Sequence, residues 1–384
     1  MRILILHSRY LSGDASGENR VVEDECRLLQ EGGHDVRLWQ PSPTEVQGLG
    51  LLRTSANAIW SRTATQHVVH MAKEHRSDVV HIHNLIPTLS PAAIRGLAAE
   101  GIPVVVTLHN YRYMCLPATF LRDDRICEDC LGHTPWRGVY HRCYRGSALA
   151  SGVMATAFTL HGKIGTFGKV AKFFAVSSFV REKYIEAGFP PESISIKSNF
   201  AWPAKVREGA GDYFLFVGRL SAEKGVETLV RGWDPALGRL VIVGDGPQGP
   251  MLKASASDGV EFRGFVPGEQ IPEILRAARA LLFPSICYEA QPRIILEAYA
   301  VGVPVLASEI GGISELVSDE STGFTVPPDD ADEWFRTIGR LRDDPLAIKL
   351  GSNALRLWHS RYSPKQGLRN LEEAYEAASH MNGR

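Results

Sequence analysis

No apolar run near the start of the sequence is long enough for a leader or a membrane span. Residues 3–6 are apolar, but His7 and Arg9 end the run after four positions. A signal peptide needs a longer stretch and a transmembrane helix about 18 or more apolar residues. A cytoplasmic protein is therefore the expectation. Charge of one sign is lacking too. Lys and Arg number 42 against 43 Asp and Glu, a net charge of −1, so no overall field draws the chain to nucleic acid or acidic lipid. Any anion site has to be local. Cysteine is scarce, with six in 384 residues, and in a reducing compartment these are thiols or metal ligands rather than disulfides. The signature of disorder is missing as well: 44% of residues are hydrophobic and 22% charged, the proportions of a folded chain.

What is present is a pattern given twice. A chain of 384 residues exceeds one ordinary core, and two domains of about 150–200 residues are expected. Residues 3–6 read as a buried strand, followed by a polar loop over 8–19. A helix then carries Val22, Cys26 and Leu29 on one face and stops at Gly32-Gly33, and a second strand covers 36–39. Strand, loop, helix, strand opens a parallel doubly wound sheet. Further strands are expected at 79–83, 104–108 and 173–177. The pattern restarts with a strand at 213–217, a loop at 218–225 and a helix at 226–233, then strands at 240–243, 260–262, 281–283 and 303–307. Pro203, Gly209 and Gly211 mark 199–212 as the linker. The expected architecture is α/β: a Rossmann-like domain over 1–199, a second over 200–362, and a closing helix over 363–384 that starts at Ser363-Pro364 and either packs back on the first domain or finishes the second. Two such domains facing each other leave a cleft at the carboxyl ends of their strands, where ligands of these folds bind.

Two segments of the second half carry chemistry. The loop Gly218-Arg219-Leu220-Ser221-Ala222-Glu223-Lys224-Gly225 leaves a strand and enters a helix, so it combines an anion-binding helix start with two cations five positions apart. That suits a diphosphate; the plain alternative is a pair of solvated charges. In Glu289-Ala290-Gln291-Pro292-Arg293-Ile294-Ile295-Leu296-Glu297, Pro292 is suited to the first helical position. Glu289 then precedes the helix, and Glu297 stands roughly 7–8 Å beyond its start. Carboxylates on both sides of a helix start fit a ligand with hydroxyls at each end and phosphates between; otherwise they are ordinary helix-flanking glutamates.

These segments, with the Gly244-Asp245-Gly246-Pro247 turn and Gly311-Gly312, resemble the family-4 retaining glycosyltransferases of the GT-B fold. Ser16-Gly17-Glu18-Asn19-Arg20, Gly33-His34-Asp35-Val36, Asp78-Val79-Val80-His81-Ile82-His83 and Thr107-Leu108-His109 extend the resemblance over nearly the whole chain. Where the family often pairs glycines, this chain has Ser16 before Gly17. The resemblance implies a nucleoside diphosphate sugar, UDP- or GDP-linked, as donor. Arg219 and Lys224 would neutralise its diphosphate, Glu297 hold the ribose, Glu289 and His109 meet the transferred sugar, and Gly17 and Gly244 allow close backbone approach. It implies retention of anomeric configuration without a catalytic metal. The implied acceptor is a glycan, a lipid-linked saccharide or a small-molecule hydroxyl.

Rival readings rest on single features. The 244–249 turn formally fits a dinucleotide fingerprint, but Pro247 is awkward there and the turn lies outside the opening unit. A nonhydrolysing sugar-nucleotide epimerase or a non-catalytic sugar-nucleotide-binding protein would share the fold and the ligand. Cys115, Cys127, Cys130 and Cys143, separated by eleven, two and twelve residues, offer a closed zinc site within an irregular insertion over 110–145. His133 or His141 could replace one ligand, and the alternative is reduced thiols. A nucleic-acid ribbon is disfavoured by the balanced charge. Residues 148–175 mix apolar positions with Lys163, Lys169 and Lys172, a pattern of first-domain helices that also suits peripheral contact with a membrane.

Overall fold

Near-continuous Val, Ile and Leu runs form strands buried on both faces, which is the condition for an all-parallel sheet. Two such sheets are present in the computed structural model, which describes residues 1–10, 16–41 and 51–381. The chain divides into two compact units, one made of Met1–Phe120, Cys127–Ser198 and Leu368–Arg384, the other of Leu121–Ile126 and Asn199–Gly367.

In the first unit the strands are β1 (Arg2–His7), β2 (Asp35–Trp39), β3 (Val79–Asn84), β4 (Val104–Leu108), β7 (Lys172–Ala175) and β8 (Ile194–Ile196), ordered β2-β1-β3-β4-β7-β8. Ile3, Leu4, Ile5 and Leu6 are wholly buried, whereas edge strand β2 is largely open. The order reverses between β1 and β3, so the crevice beyond the carboxyl ends of these strands is where a doubly wound sheet receives its ligand. The opening loop is shorter than expected. Ser16 caps a helix running Gly17–Glu31, its hydroxyl accepting from the Asn19 amide; positions 11–15 of that loop lie outside the described residues.

The second sheet is β11-β10-β9-β12-β13-β14, built from β9 (Tyr213–Val217), β10 (Arg239–Val243), β11 (Val260–Gly264), β12 (Ala278–Phe283), β13 (Val305–Ser308) and β14 (Gly323–Val326). Its reversal falls between β9 and β12. Each sheet contains one short strand beyond those expected, β8 and β14.

The expected linker begins where the two units divide and is bonded into the second. Trp358 donates its indole N–H to the Ala201 carbonyl, and the Asn199 amide donates to Gln291 Oε1 at 2.6 Å. Arg207 is buried and donates to the carbonyls of Ala210, Ala278, Arg279 and Ala347. These bonds fasten the segment into the second unit. The 110–145 insertion is also more ordered than its sequence suggests: β5 (Leu121–Arg122) and β6 (Arg125–Ile126) make a small antiparallel hairpin, and a one-turn helix spans Arg137–Tyr140. From Leu368 the last helix (Pro364–Met381) belongs to the first unit, where Tyr375 bonds His81 at 2.8 Å and Glu372 meets His34 at 3.1 Å. Among the described residues no helix is long and apolar enough to cross a membrane.

Candidate functional site

At the reversal point of the second sheet, β9 ends at Val217 and the chain passes through Arg219 to Lys224. Two glycines make this passage possible. Gly244 has φ +130, and a Cβ there would lie 1.9 Å from the Gly218 carbonyl oxygen; Gly225 has φ +64, and a Cβ would lie 1.9 Å from that of Pro284. Only glycine accepts both the backbone angle and the approach. Backbone bonds from Leu220 to Asp245 (3.0 Å) and from Gln248 to Leu220 (2.9 Å) fasten the two loops together. Arg219 projects from this platform with its side chain exposed.

Lys224 lies one residue before the helix turn at Gly225 and meets Glu289 from the loop after β12: Nζ donates to Oε1 at 2.5 Å. The Ser285 hydroxyl donates to the same oxygen at 2.9 Å. Burial opposes the Lys224 charge, but the Glu289 carboxylate outweighs it and lifts the ammonium above the usual lysine range. Cys287, buried beside this carboxylate, has its thiol pushed up to about 12, by burial first and Glu289 second. The Glu289 carbonyl accepts from the Gly312 amide at 2.9 Å, which fixes the carboxylate's backbone.

Pro292 corrects one expectation. It is the N-cap of the helix Arg293–Ala300, with extended backbone, rather than the first helical residue. Glu297 thus stands about one turn into the helix, one residue nearer its start than expected. It is held by Arg293, whose Nε and a terminal nitrogen donate to Glu297 Oε1 at 3.0 and 2.8 Å. This i, i+4 pair occupies one carboxylate oxygen.

In the first unit His109 follows β4 and is half-buried. Its Nε2 lies 2.8 Å from His83 Nδ1. Burial holds both rings well below the usual histidine range, so both are neutral. Gly17 is exposed at the first turn of its helix, with no atom within 4 Å of where a Cβ would sit; the protein itself does not require glycine there. Glu18 beside it accepts from Tyr10 Oη (3.2 Å) and Asn110 Nδ2 (3.1 Å). Burial pushes its carboxyl up to about 7, and Arg112 partly offsets this.

Cys115 and the pair Cys127 and Cys130 sit in one neighbourhood. Burial pushes the Cys115 thiol up to about 11 against backbone N–H groups of Phe120, Thr119 and Ala118, and Cys130 adds to the rise. Among the described residues, however, the group whose ligand atoms lie within 4.8 Å of one another is Glu25, His81 and His83, so the four cysteines are not drawn into a closed shell here. His133 is exposed.

A family model described as Glycosyltransferase Family 4 matches residues 15–201, and one described as Glycosyl transferases group 1 matches 211–344. The 2-deoxystreptamine glucosyltransferase of Streptomyces kanamyceticus is 29% identical over 317 residues, 79% of this chain and 78% of that protein. The alpha-D-kanosaminyltransferase of the same organism is 35% identical over 163 residues, 39% of this chain and 41% of its own length. The chain belongs to the family-4 glycosyltransferases. Its fold is GT-B: Anabaena HepE, solved with UDP, superposes with a TM-score of 0.64 at 18% identity, over 98% of this chain and all of that one. Sucrose-phosphate synthase from Thermosynechococcus elongatus gives 0.68 at 18% identity, over 98% of each.

In this glycosyltransferase several polar residues escaped sequence reasoning. Glu25 lies within the buried stripe of its helix, between Val21, Val22 and Leu28, Leu29; a glutamate at apolar spacing was the available signal. His81 and His83 alternate on a wholly buried strand, which puts both on one face. Lys197, buried after β8, donates to Glu25 Oε1. Ser285 and Arg293 had no signal beyond their nearness to Glu289 and Glu297.

Proposed function

We propose that this glycosyltransferase is a retaining enzyme that takes a UDP- or GDP-linked sugar as donor. The observation that carries the reading is the Lys224–Glu289 pair, set on a glycine-built platform at the reversal point of a doubly wound sheet with Arg219 exposed beside it. Arg219 and Lys224 neutralise the diphosphate as the bond to the sugar breaks, the electrostatic task expected to dominate. Glu289 receives hydroxyls of the transferred sugar, Glu297 those of the ribose through the oxygen that Arg293 leaves, and His109 meets the sugar from the first unit. Gly244 and Gly17 allow close approach of donor and acceptor. The acceptor oxygen bonds the anomeric carbon on the face the diphosphate leaves, and the departing phosphate takes the acceptor's proton. No protein metal takes part in this step.

The acceptor is a hydroxyl of a glycan, a lipid-linked saccharide or a small molecule, as in glycoconjugate or polysaccharide synthesis. A cytoplasmic site at the inner membrane face suits a lipid-linked one. Exposed Leu149, Leu160 and Ile164 accompany exposed Lys163 and Lys169 on and after the helix Ala148–Lys163, as an interfacial surface requires.

The deciding experiment incubates the pure protein with a panel of nucleoside diphosphate sugars and acceptors, 2-deoxystreptamine included, and follows nucleotide release and thermal stabilisation. Release that depends on acceptor supports the reading. No response to any donor overturns it, and sugar interconversion without acceptor points instead to an epimerase.

Zinc in the insertion completes the proposal. Cys115 accepts backbone N–H groups of residues 118–120 and Cys130 that of Gly138, contacts that favour thiolates. The Cys143 amide bonds the Gly138 carbonyl at 2.9 Å, which keeps the fourth cysteine near. Protein purified without chelators should hold one zinc per chain, lost in Cys127→Ser/Cys130→Ser. Absence of metal would return these residues to plain thiols.

A further inference from the structure

The first unit buries a polar chain that runs from Lys197 to His109. Lys197 Nζ donates to Glu25 Oε1. The second carboxylate oxygen, Glu25 Oε2, lies 3.6 Å from His83 Nε2, and neither atom has a hydrogen-bond partner although both are buried. On its other edge His83 Nδ1 lies 2.8 Å from His109 Nε2. The two imidazoles are 19° from coplanar with centroids 5.1 Å apart. With so short a contact between their edge nitrogens, this is the separation of rings joined end to end by an in-plane hydrogen bond, not of rings laid face to face.

Of the other ring nitrogens nearby, both of His81 and Nε2 of His7 are hydrogen-bonded, while His7 Nδ1 is buried without a partner. His81 Nδ1 bonds Tyr375 and its Nε2 bonds Thr107, at 2.8 and 2.7 Å. His7 Nε2 bonds Asn19 Oδ1 at 2.9 Å; that oxygen also accepts from the Tyr10 amide, so His7 is the donor. A metal ion at Glu25, His81 and His83 would have to displace the Lys197 ammonium and the Tyr375 hydroxyl. The cluster is better suited to fixing protons than to holding a cation.

From this geometry we infer that Glu25, held by Lys197, sets the tautomer of His109 through His83, making His109 a hydrogen-bond acceptor at Nδ1. A neutral imidazole has one donor and one acceptor nitrogen. With Glu25 kept ionised by the Lys197 ammonium against the upward push of burial, the two buried, unpartnered atoms that face each other are both satisfied when the proton between them sits on His83 Nε2. His83 Nδ1 is then an acceptor, His109 Nε2 must be the donor to it, and the lone pair of His109 falls on Nδ1. The group that His109 can receive is therefore a donor, such as a sugar hydroxyl. That identification of the ligand rests on the proposed placement of the sugar against His109; the tautomer does not. His83 and Glu25 are positioning residues. A cavity of about 20 Å³ lined by His83, His109, Asn110 and Arg112 adjoins the bond and has room for a single water.

The test uses the full chain labelled with 15N-histidine, without donor. Long-range 1H–15N spectra, assigned with His83→Gln and His109→Gln, should show His83 and His109 both as Nε2–H tautomers. In Glu25→Gln, Lys197 keeps the amide oxygen and the amide NH2 turns to His83 Nε2. Both rings should then switch to Nδ1–H, and kcat/KM for the donor should fall by tenfold or more while the circular dichroism stays native. An Nδ1–H tautomer of His109 in the unaltered protein overturns the inference, and that measurement stands even if Glu25→Gln does not fold. A folded Glu25→Gln whose His109 keeps its tautomer overturns it equally. Failure of every donor to react would count against the proposed function and leave the tautomer result intact.

Discussion

Lys224 and Glu289 meet at 2.5 Å from two loops that follow neighbouring strands, and the Ser285 hydroxyl joins them on the same carboxylate oxygen. The pair has a double consequence. Glu289 keeps Lys224 charged despite its burial, and Lys224 keeps the carboxylate oriented.

Replacing Lys224 by Ala should therefore do more than remove one cation. Transition-state stabilisation should drop by about 2–4 kcal/mol, as loss of a donor aimed at developing charge does. Steady-state kinetics with the best donor would read this mainly in kcat. Unchanged turnover would remove Lys224 from the diphosphate site.

Arg293 offers a different contrast. It binds Glu297 through two nitrogens, so Arg293→Met should free the carboxylate to swing and weaken donor binding without touching the reacting bond. The expectation is a KM for donor raised several-fold with kcat nearly unchanged, the pattern of lost uniform binding.

Two glycines should respond in opposite ways. Gly225→Ala forces a Cβ to 1.9 Å from the Pro284 carbonyl oxygen at a φ of +64, and should cost more than about 1–3 kcal/mol of stability. Gly17→Ala meets nothing within 4 Å at a helix start, and should leave the melting temperature unchanged or slightly higher. If Gly17 lies against a ligand, activity falls all the same. Thermal melts and turnover of both variants separate the roles.

Stability should also depend on pH with a definite sign. Burial holds His7 at about 4 in the folded chain, against roughly 6.5 unfolded, so the unfolded state binds more protons between these values and stability rises with pH across them. His81, His83 and His109 are lowered by burial too and act in the same direction. Glu18, raised to about 7, opposes them: from its ordinary value near 4.5 up to about 7 the folded state binds the extra proton, and stability falls. Glu25 is raised by burial as well, with Lys197 opposing the rise; four histidines outweigh these two glutamates, so the melting temperature should climb from pH 4 to 6.5. Glu18→Gln should raise it further above pH 7 relative to the unaltered chain. A flat profile would contradict the burial of these histidines.

Much of the fold was legible because a parallel sheet buried on both faces writes its strands as unbroken apolar runs, as at Ile3–Leu6 of β1 or Leu240–Val243 of β10. β8 and β14 were not: Ile194–Ile196 has three residues with one buried, and Gly323–Val326 mixes glycine and threonine with only two apolar residues. Composition marked 199–212 as the passage between the units, which divide at Ser198 and Asn199, but glycine and proline say nothing of the carbonyls that Arg207 finds at Ala278 and Ala347. Pro292 was displaced by one position because proline suits both a helix cap and a first turn. Around the candidate site, Arg219, Lys224, Glu289 and Glu297 were visible in local loop chemistry. The Lys197–Glu25–His83–His109 chain joins positions up to 172 residues apart, and no local pattern could display it.

The last helix has a consequence for how the chain is made. Residues from Leu368 onward complete the first unit, where Tyr375 supplies the hydroxyl that His81 needs. Synthesis runs from the amino end, so the unit that emerges first is the one finished last. Until the residues from Leu368 onward leave the ribosome, its histidine-lined interior lacks a wall. A nascent or truncated chain ending before Leu368 would hold a complete second unit and an open first one, and quality control would meet that opening rather than any defect at the donor platform.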